Sequence, residues 1–174
     1  MLRSSLLFAP LRQVNRYASD TGSVMMISRR QATDADRELV RSIHHRAYRN
    51  VIERQYGVWD IAHQDQFFEV AWRAANHEII LCEGVCCGYC SVDNRSDEIL
   101  IRELVIDPDY QRLGIGTRIL HEIFNDSNAH GVPVRLQTQI LNRAAGLYRR
   151  LGFLETKRTE THILMERHPA EDAA

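Results

Sequence analysis

Hydrophobic and polar positions along this chain follow two periods, and the places where the period changes mark its elements. The apolar run 24–28 predicts a first strand. Thr33, Asp34 and Asp36 then offer caps, and Leu39, Val40, Ile43, Ala47 and Tyr48 recur at helical spacing until Gly57. A second helix is expected over 62–75, where Phe67, Phe68, Ala71, Trp72 and Ala75 share a face. Two apolar runs within 79–92 flank Glu83-Gly84, a hairpin signal. A turn over 93–97 leads to a strand at 99–106, which Pro108 stops because proline cannot donate to a ladder. Ile115, Ile119, Leu120, Ile123 and Phe124 predict the next helix, closed by His130-Gly131 with Pro133 beyond. A strand over 134–140, a helix opening at Asn142 and closing at Leu151-Gly152, and a last strand over 154–166 complete the pattern. The order β-α-α-β-β-β-α-β-α-β predicts an α/β protein of the α+β kind, a mixed sheet with helices on its faces.

The chain has 174 residues, 44% of them hydrophobic and 26% charged, which suits one folded domain and argues against wholesale disorder. Its formal net charge of -1 lacks the basic surplus of a nucleic-acid binder, so no nucleic-acid partner is expected. No apolar run approaches the roughly 18 residues of a spanning helix, and no membrane partner is expected. Of the 22 basic residues only Lys157 is a lysine, a skew spread along the whole chain. Residues 1–24 stand apart: Arg3, Arg12 and Arg16 precede the first acid, Asp20, in a Ser-containing stretch. That is the composition of a mitochondrial presequence; the preferred alternative is a disordered extension, or upstream sequence translated from an early start, ahead of a domain opening at Met25 or Met26. The expected division is an extension at 1–24, a domain at 25–168 and a disordered tail at 169–174. The expected location is cytoplasmic, or the mitochondrial matrix if residues 1–20 are a presequence.

All four cysteines, Cys82, Cys86, Cys87 and Cys90, fall within the hairpin. Alternation along a strand places Cys86 and Cys90 on one face and Cys87 on the other, so four thiolates do not converge on one ion. Small core residues are expected there and no metal site, a zinc hairpin being the alternative.

Candidate chemistry concentrates at Gln111-Arg112-Leu113-Gly114-Ile115-Gly116-Thr117, between a strand and a helix. The first turn of a helix has unpaired N–H groups and partial positive charge, and glycines let backbone approach a ligand closely. Such a loop receives a phosphate or pyrophosphate, and Arg112 and Arg118 add charge beside it. The Lys-Ser/Thr ending of a Walker loop is missing, as is the third glycine of a dinucleotide fingerprint.

The series of strand, Asp107-Pro108, Gln111-x-x-Gly114-x-Gly116, helix, strand and Asn142-Arg143-Ala144-Ala145-Gly146-Leu147-Tyr148-x-x-Leu151-Gly152-Phe153 resembles the GNAT superfamily of acetyl-CoA-dependent N-acetyltransferases. The resemblance runs from about 26 to 167, and its specific part lies between Glu103 and Phe153. It implies an acyl-CoA N-acyltransferase fold whose central sheet is mostly antiparallel and flanked by helices. It also implies acetyl-CoA as co-substrate, with the pyrophosphate held by the amides of Arg112, Leu113, Gly114, Ile115, Gly116 and Thr117 in the loop that Gln111 opens. The pantetheine arm is then expected on Leu104, Val105 and Ile106, Asn142 beside that arm, and Tyr148 beside the thioester sulfur.

Acetylation of an amine needs the amine neutral, against an alkylammonium pKa of about 10.4, so a base or a proton-carrying water is required. Glu103 on the strand is the candidate base, with water as the alternative. A strand amide near Val105 or Ile106 suits the developing oxyanion, and the Tyr148 phenol suits the departing thiolate as general acid. For the acceptor, Tyr56 and Trp59 offer aromatic walls or simple loop anchors, and His162 a base, an amine contact or a structural group. The expected function is direct acetyl transfer from acetyl-CoA to a small-molecule or peptide primary amine in a ternary complex, with a homodimer possible. The alternative is a non-catalytic acyl-CoA-binding or sensing module.

Overall fold

Helix formation in this chain is decided by where apolar stripes meet a sheet, and the computed structural model describes residues 25–170. The expected extension 1–24 and residues 171–174 of the expected tail lie outside the described residues. At the end of the described chain the Ala170 N–H donates to Asn128 Oδ1 at 2.9 Å. The elements run β1 (Ile27–Gln31), α1 (Arg37–Tyr56), α2 (Ile61–Ala74), β2 (Glu78–Cys82), β3 (Val85–Asn94), β4 (Ile99–Ile106), α3 (Ile115–His130), β5 (Val134–Gln139), α4 (Ala144–Arg150), β6 (Leu154–Arg158) and β7 (His162–Arg167). The seven strands form one sheet in the order β1-β2-β3-β4-β5-β7-β6. Every neighbouring pair is antiparallel except β4 and β5.

Two apolar layers lie on the two faces. Ile115, Ile119, Leu120, Ile123 and Phe124 of α3 are buried with Ile101, Leu136, Tyr148 and Phe153. On the other face Val40 and Ile43 of α1 and Phe68 of α2 meet Ile79, Tyr89 and Val105. The burial of such stripes against the sheet is the main stabilising term of short helices.

Three expectations are corrected. The first strand lies at 27–31 rather than 24–28. Its polar residues find partners elsewhere: Arg29 pairs with Glu78 at 2.8 Å and with Glu122 at 3.1 Å, and Arg30 with Asp36 at 2.6 Å. The last segment is a hairpin, β6 and β7, because Thr159 closes the turn by donating its N–H to the His162 carbonyl at 2.8 Å. Finally, Cys87 and Cys90 share a face. In the β2–β3 ladder Ile80 pairs with Gly88 and Leu81 with Cys86, leaving Cys87 as the extra residue of a bulge. Cys82, Cys87 and Cys90 therefore enter the α3 core, and Cys86 packs on the opposite face.

Candidate active site

The parallel junction of the sheet opens into a cleft. β4 and β5 pair only at Ile99–Val134, Leu100–Arg135 and Ile101–Leu136. Past that point both strands continue but part, to Ile106 on one side and Gln139 on the other. Backbone groups between them lose their ladder partners there and face open space; Gln111 takes one of them, its Nε2 donating to the Ile106 carbonyl at 2.9 Å. The resulting cleft has a volume of about 850 Å³ and is walled by α1, the start of α3 and α4.

At one end of the cleft lies the glycine loop. Gly114 is the N-cap of α3 with φ of 79°, and Arg112 before it has φ of 65°. The first helical hydrogen bond runs from the Arg118 N–H to the Gly114 carbonyl at 3.0 Å, so the amides of Ile115, Gly116 and Thr117 have no partner within the helix. A Cβ on Gly114 would meet nothing within 4 Å. Open space at bare backbone, with free amides and a helix N-terminus, fits an anionic group such as a pyrophosphate. Six arginines (Arg46, Arg54, Arg102, Arg112, Arg143 and Arg150) line the cleft against one carboxylate, Glu103.

Tyr148 on α4 is buried, its ring edge-on to Phe153 at 5.6 Å. Burial pushes its phenol up to about 12, so it stays protonated at neutral pH. Glu103 also lines the cleft, and behind it stands a polar cluster on the α1–α2 face. Its Oε1 is 3.8 Å from His44 Nδ1 and its Oε2 is 3.5 Å from His77 Nε2. His44 Nδ1 and the Tyr89 hydroxyl share a hydrogen bond at 2.7 Å. Burial lowers His44 to about 4, opposed by the Glu103 charge, so its ring is neutral at pH 7. Burial raises the phenols of Tyr48 and Tyr89, and the Glu103 carboxylate raises both further. Tyr48 lies close enough to Tyr148 for that phenol to act on it as well.

The family model described as an acetyltransferase (GNAT) domain matches residues 64–155. The chain belongs to this family. A curated relative, the [ribosomal protein bS18]-alanine N-acetyltransferase of Escherichia coli (strain K12), is 38% identical over 61 residues. That match covers 34% of this chain and 41% of the relative, so the chain matches less than half of that relative's length. Among solved structures, the PaiA N-acetyltransferase of Thermoplasma acidophilum in complex with coenzyme A superposes with a TM-score of 0.64 at 15% identity, covering 82% of this chain and 98% of that one. The ribosomal-protein-S18-alanine N-acetyltransferase of Escherichia coli gives 0.60 at 21% identity, over 86% of this chain and 99% of that one. PH1933 from Pyrococcus horikoshii OT3 gives 0.65 at 17%, over 83% and 99%. These likenesses are of fold, and their fold is the expected mixed, mostly antiparallel sheet with flanking helices.

Within this GNAT domain the cleft gathers Glu103, Leu104, Val105, Ile106, Gln111, Arg112, Gly114, Ile115, Gly116, Thr117, Asn142 and Tyr148. The Ile115 side chain is turned into the core, leaving its backbone to face the cleft. Asn142 precedes α4 rather than opening it: its Oδ1 accepts the Ala144 N–H at 2.9 Å, a capping bond. Leu113, Tyr56, Trp59 and His162 are not among the lining residues. Leu113 projects outward. Trp59 is held edge-on to His45 at 5.3 Å, and His162 Nδ1 engages the Thr161 hydroxyl at 2.9 Å. Tyr56 accepts from Gln55 Nε2 at 2.8 Å at the exposed end of α1. The residues that sequence reasoning missed are Tyr48, His44, His77 and Tyr89. Only the helical spacing of His44 and Tyr48 hinted that two of them share a face.

Proposed function

We propose that this protein transfers an acetyl group from acetyl-CoA to a primary amine, directly and within a ternary complex. One observation carries the reading: Tyr148 and Glu103 line the same cleft, opened by the parting of β4 and β5, with the unpaired amides of α3 at its end. Acetyl-CoA supplies the activated acetyl group and a thiolate that must leave. The amides of Ile115, Gly116 and Thr117, with Arg112, hold the pyrophosphate, and Leu104, Val105 and Ile106 present backbone to the pantetheine arm. The Ile106 N–H, on the side of β4 away from β3, steadies negative charge at the acetyl oxygen. Glu103 takes the proton that the acceptor ammonium must lose, and the Tyr148 hydroxyl gives one to the departing sulfur.

Direct transfer is favoured over a cysteine intermediate because none of the four thiols lines the cleft. Burial also holds their pKa values high, Cys87 at about 12 and Cys90 at about 11, so no thiolate is available near neutral pH. Coenzyme A in the Thermoplasma structure supports the choice of co-substrate, and the relative named for acetylating an alanine of bS18 supports a protein N-terminus as one acceptor to try. The test is an acetylation screen by mass spectrometry with acetyl-CoA and a panel of polyamines, amino acids and peptides with free N-termini. Acetylated product with stoichiometric CoA release is expected for at least one amine class. Tight CoA binding without turnover on any amine would replace the enzyme by a CoA-binding sensor.

A further inference from the structure

The polar cluster behind Glu103 is more than the proposed chemistry uses, and His77 is its most constrained member. The residue opens the chain into β2, and its carbonyl is held twice, accepting the Ala32 N–H at 2.9 Å and Gln31 Nε2 at 2.9 Å. Its ring stacks on Trp72 of α2 at 4.8 Å with 23° between planes, and Tyr89 of β3 lies 6.0 Å away. The side chain is only 4% exposed, and Nε2 lies 3.5 Å from Glu103 Oε2. His44 stands 3.8 Å from the other oxygen, but its Nδ1 is already engaged by Tyr89 at 2.7 Å. His77 Nε2 is thus the ring nitrogen closest to the carboxylate, on a backbone that has little freedom to move.

We infer that His77 is a positioning residue for Glu103: its Nε2–H holds one carboxylate oxygen and turns the other toward the acceptor amine in the cleft. The inference rests on the proposed function and on Glu103 as its base. A carboxylate on a strand has three rotatable side-chain bonds, and a base must sit within hydrogen-bond reach of the proton it removes. Fixing one oxygen from behind supplies that orientation without placing a further group in the cleft. The 3.5 Å separation is long for a hydrogen bond and shortens by a small rotation of Glu103, as catalytic contacts do when substrate is bound. The stacked indole of Trp72 restricts rotation of the ring and accommodates it in either charge state. On its far side His77, together with Trp72, Thr33, Asp34 and Asn76, lines a second cleft of about 330 Å³ that is separate from the first. The charged and titratable groups that face the ring are therefore Glu103 of β4, Tyr89 of β3 and Asp34 at the second cleft, with His44 of α1 across the carboxylate.

The experiment is a double-mutant comparison in the full chain, read as kcat and KM for acetyl-CoA and amine over pH. His77→Leu, which keeps bulk and loses the donor, is expected to lower kcat about 10-fold or more with both KM values little changed and the acid limb displaced. His77→Gln, which keeps an N–H donor, is expected to recover most of that rate. In a Glu103→Gln background, His77→Leu is expected to cost nothing further, because its target is gone. Equal losses in both backgrounds, or Leu and Gln variants alike, would overturn the positioning role. If His77→Leu does not fold, Trp72→Leu replaces it in the same comparison and must lose rate only when Glu103 is present. A wild-type rate in Glu103→Gln would overturn the inference while leaving acetyl transfer standing. A wild-type chain that acetylates no amine would overturn both.

Discussion

Tyr148 concentrates the residue-scale argument. Its phenol is raised to about 12 by burial alone, and its hydroxyl makes no hydrogen bond to protein among the described residues. Removing that hydroxyl leaves no buried partner unsatisfied, so Tyr148→Phe should fold like the wild type. If it protonates the departing sulfur, kcat should fall by roughly 10²–10⁴ with acetyl-CoA affinity kept. Steady-state CoA release alongside calorimetry checks this, and a wild-type rate would remove the assignment. Tyr148 could be singled out as a candidate because it sits in a dense local motif, six residues after Asn142, and it lines the cleft. His77 and His44 were not, since they reach Glu103 from the residue before β2 and from α1, 26 and 59 positions away, and no local spacing announces such a meeting. Trp59 read as either an acceptor wall or a loop anchor, and its ring packs edge-on against His45. Side-chain type suggests a role, but only packing decides direction.

At the scale of elements, the start of α3 makes a prediction that separates ligand binding from folding. Gly114 has φ of 79°, so any side chain there is strained whatever the space. Gly116 lies inside the first turn, and a Cβ there would meet Ile106 Cγ1 at 3.7 Å, an ordinary contact. Gly116→Ala should therefore raise stability by about 0.5–1 kcal/mol, the helix-propensity gain, while weakening CoA binding through lost backbone access. Melting curves and calorimetry on one variant read the two effects with opposite sign; undiminished CoA affinity would overturn the cradle. This element was clear in the sequence because its stripe, its glycines and Pro108 are all local signals. The cysteine hairpin was half legible: its turn at Glu83-Gly84 was plain, but the bulge at Cys87 arises from pairing between strands, which a single strand does not encode. The closing hairpin was hidden similarly, since β6 is exposed throughout and shows no apolar alternation.

At the scale of the whole molecule, the buried histidine links stability to pH. His44 titrates near 6.5 when unfolded and is lowered to about 4 in the fold, chiefly by burial. The unfolded chain thus binds a proton first as pH falls. Stability due to the neutral ring is full above pH 6.5 and drains between 6.5 and about 4, by about 3 kcal/mol. Carboxylates such as Asp36, held well below the usual range by the Arg30 guanidinium, are shifted in the same direction and lose their contribution only at lower pH. Urea midpoints should fall between pH 7 and pH 5 in the wild type and fall less in His44→Gln. Parallel curves would show that His44 does not carry the dependence.

What the sequence by itself determined is local: the order of elements up to the closing hairpin, the helix start at Gly114, the stop at Pro108 and the short motif that contains Tyr148. Hydrophobic period, caps and glycine conformations act over a few residues, so they can be read along the chain. Tertiary structure alone decided how far β4 and β5 stay paired, which opens the cleft. It also decided that α1, the entry to β2, and β3 bring His44, His77 and Tyr89 to one carboxylate. Those outcomes depend on strand register and on the packing of two helices against one face of the sheet, interactions between residues far apart in the chain.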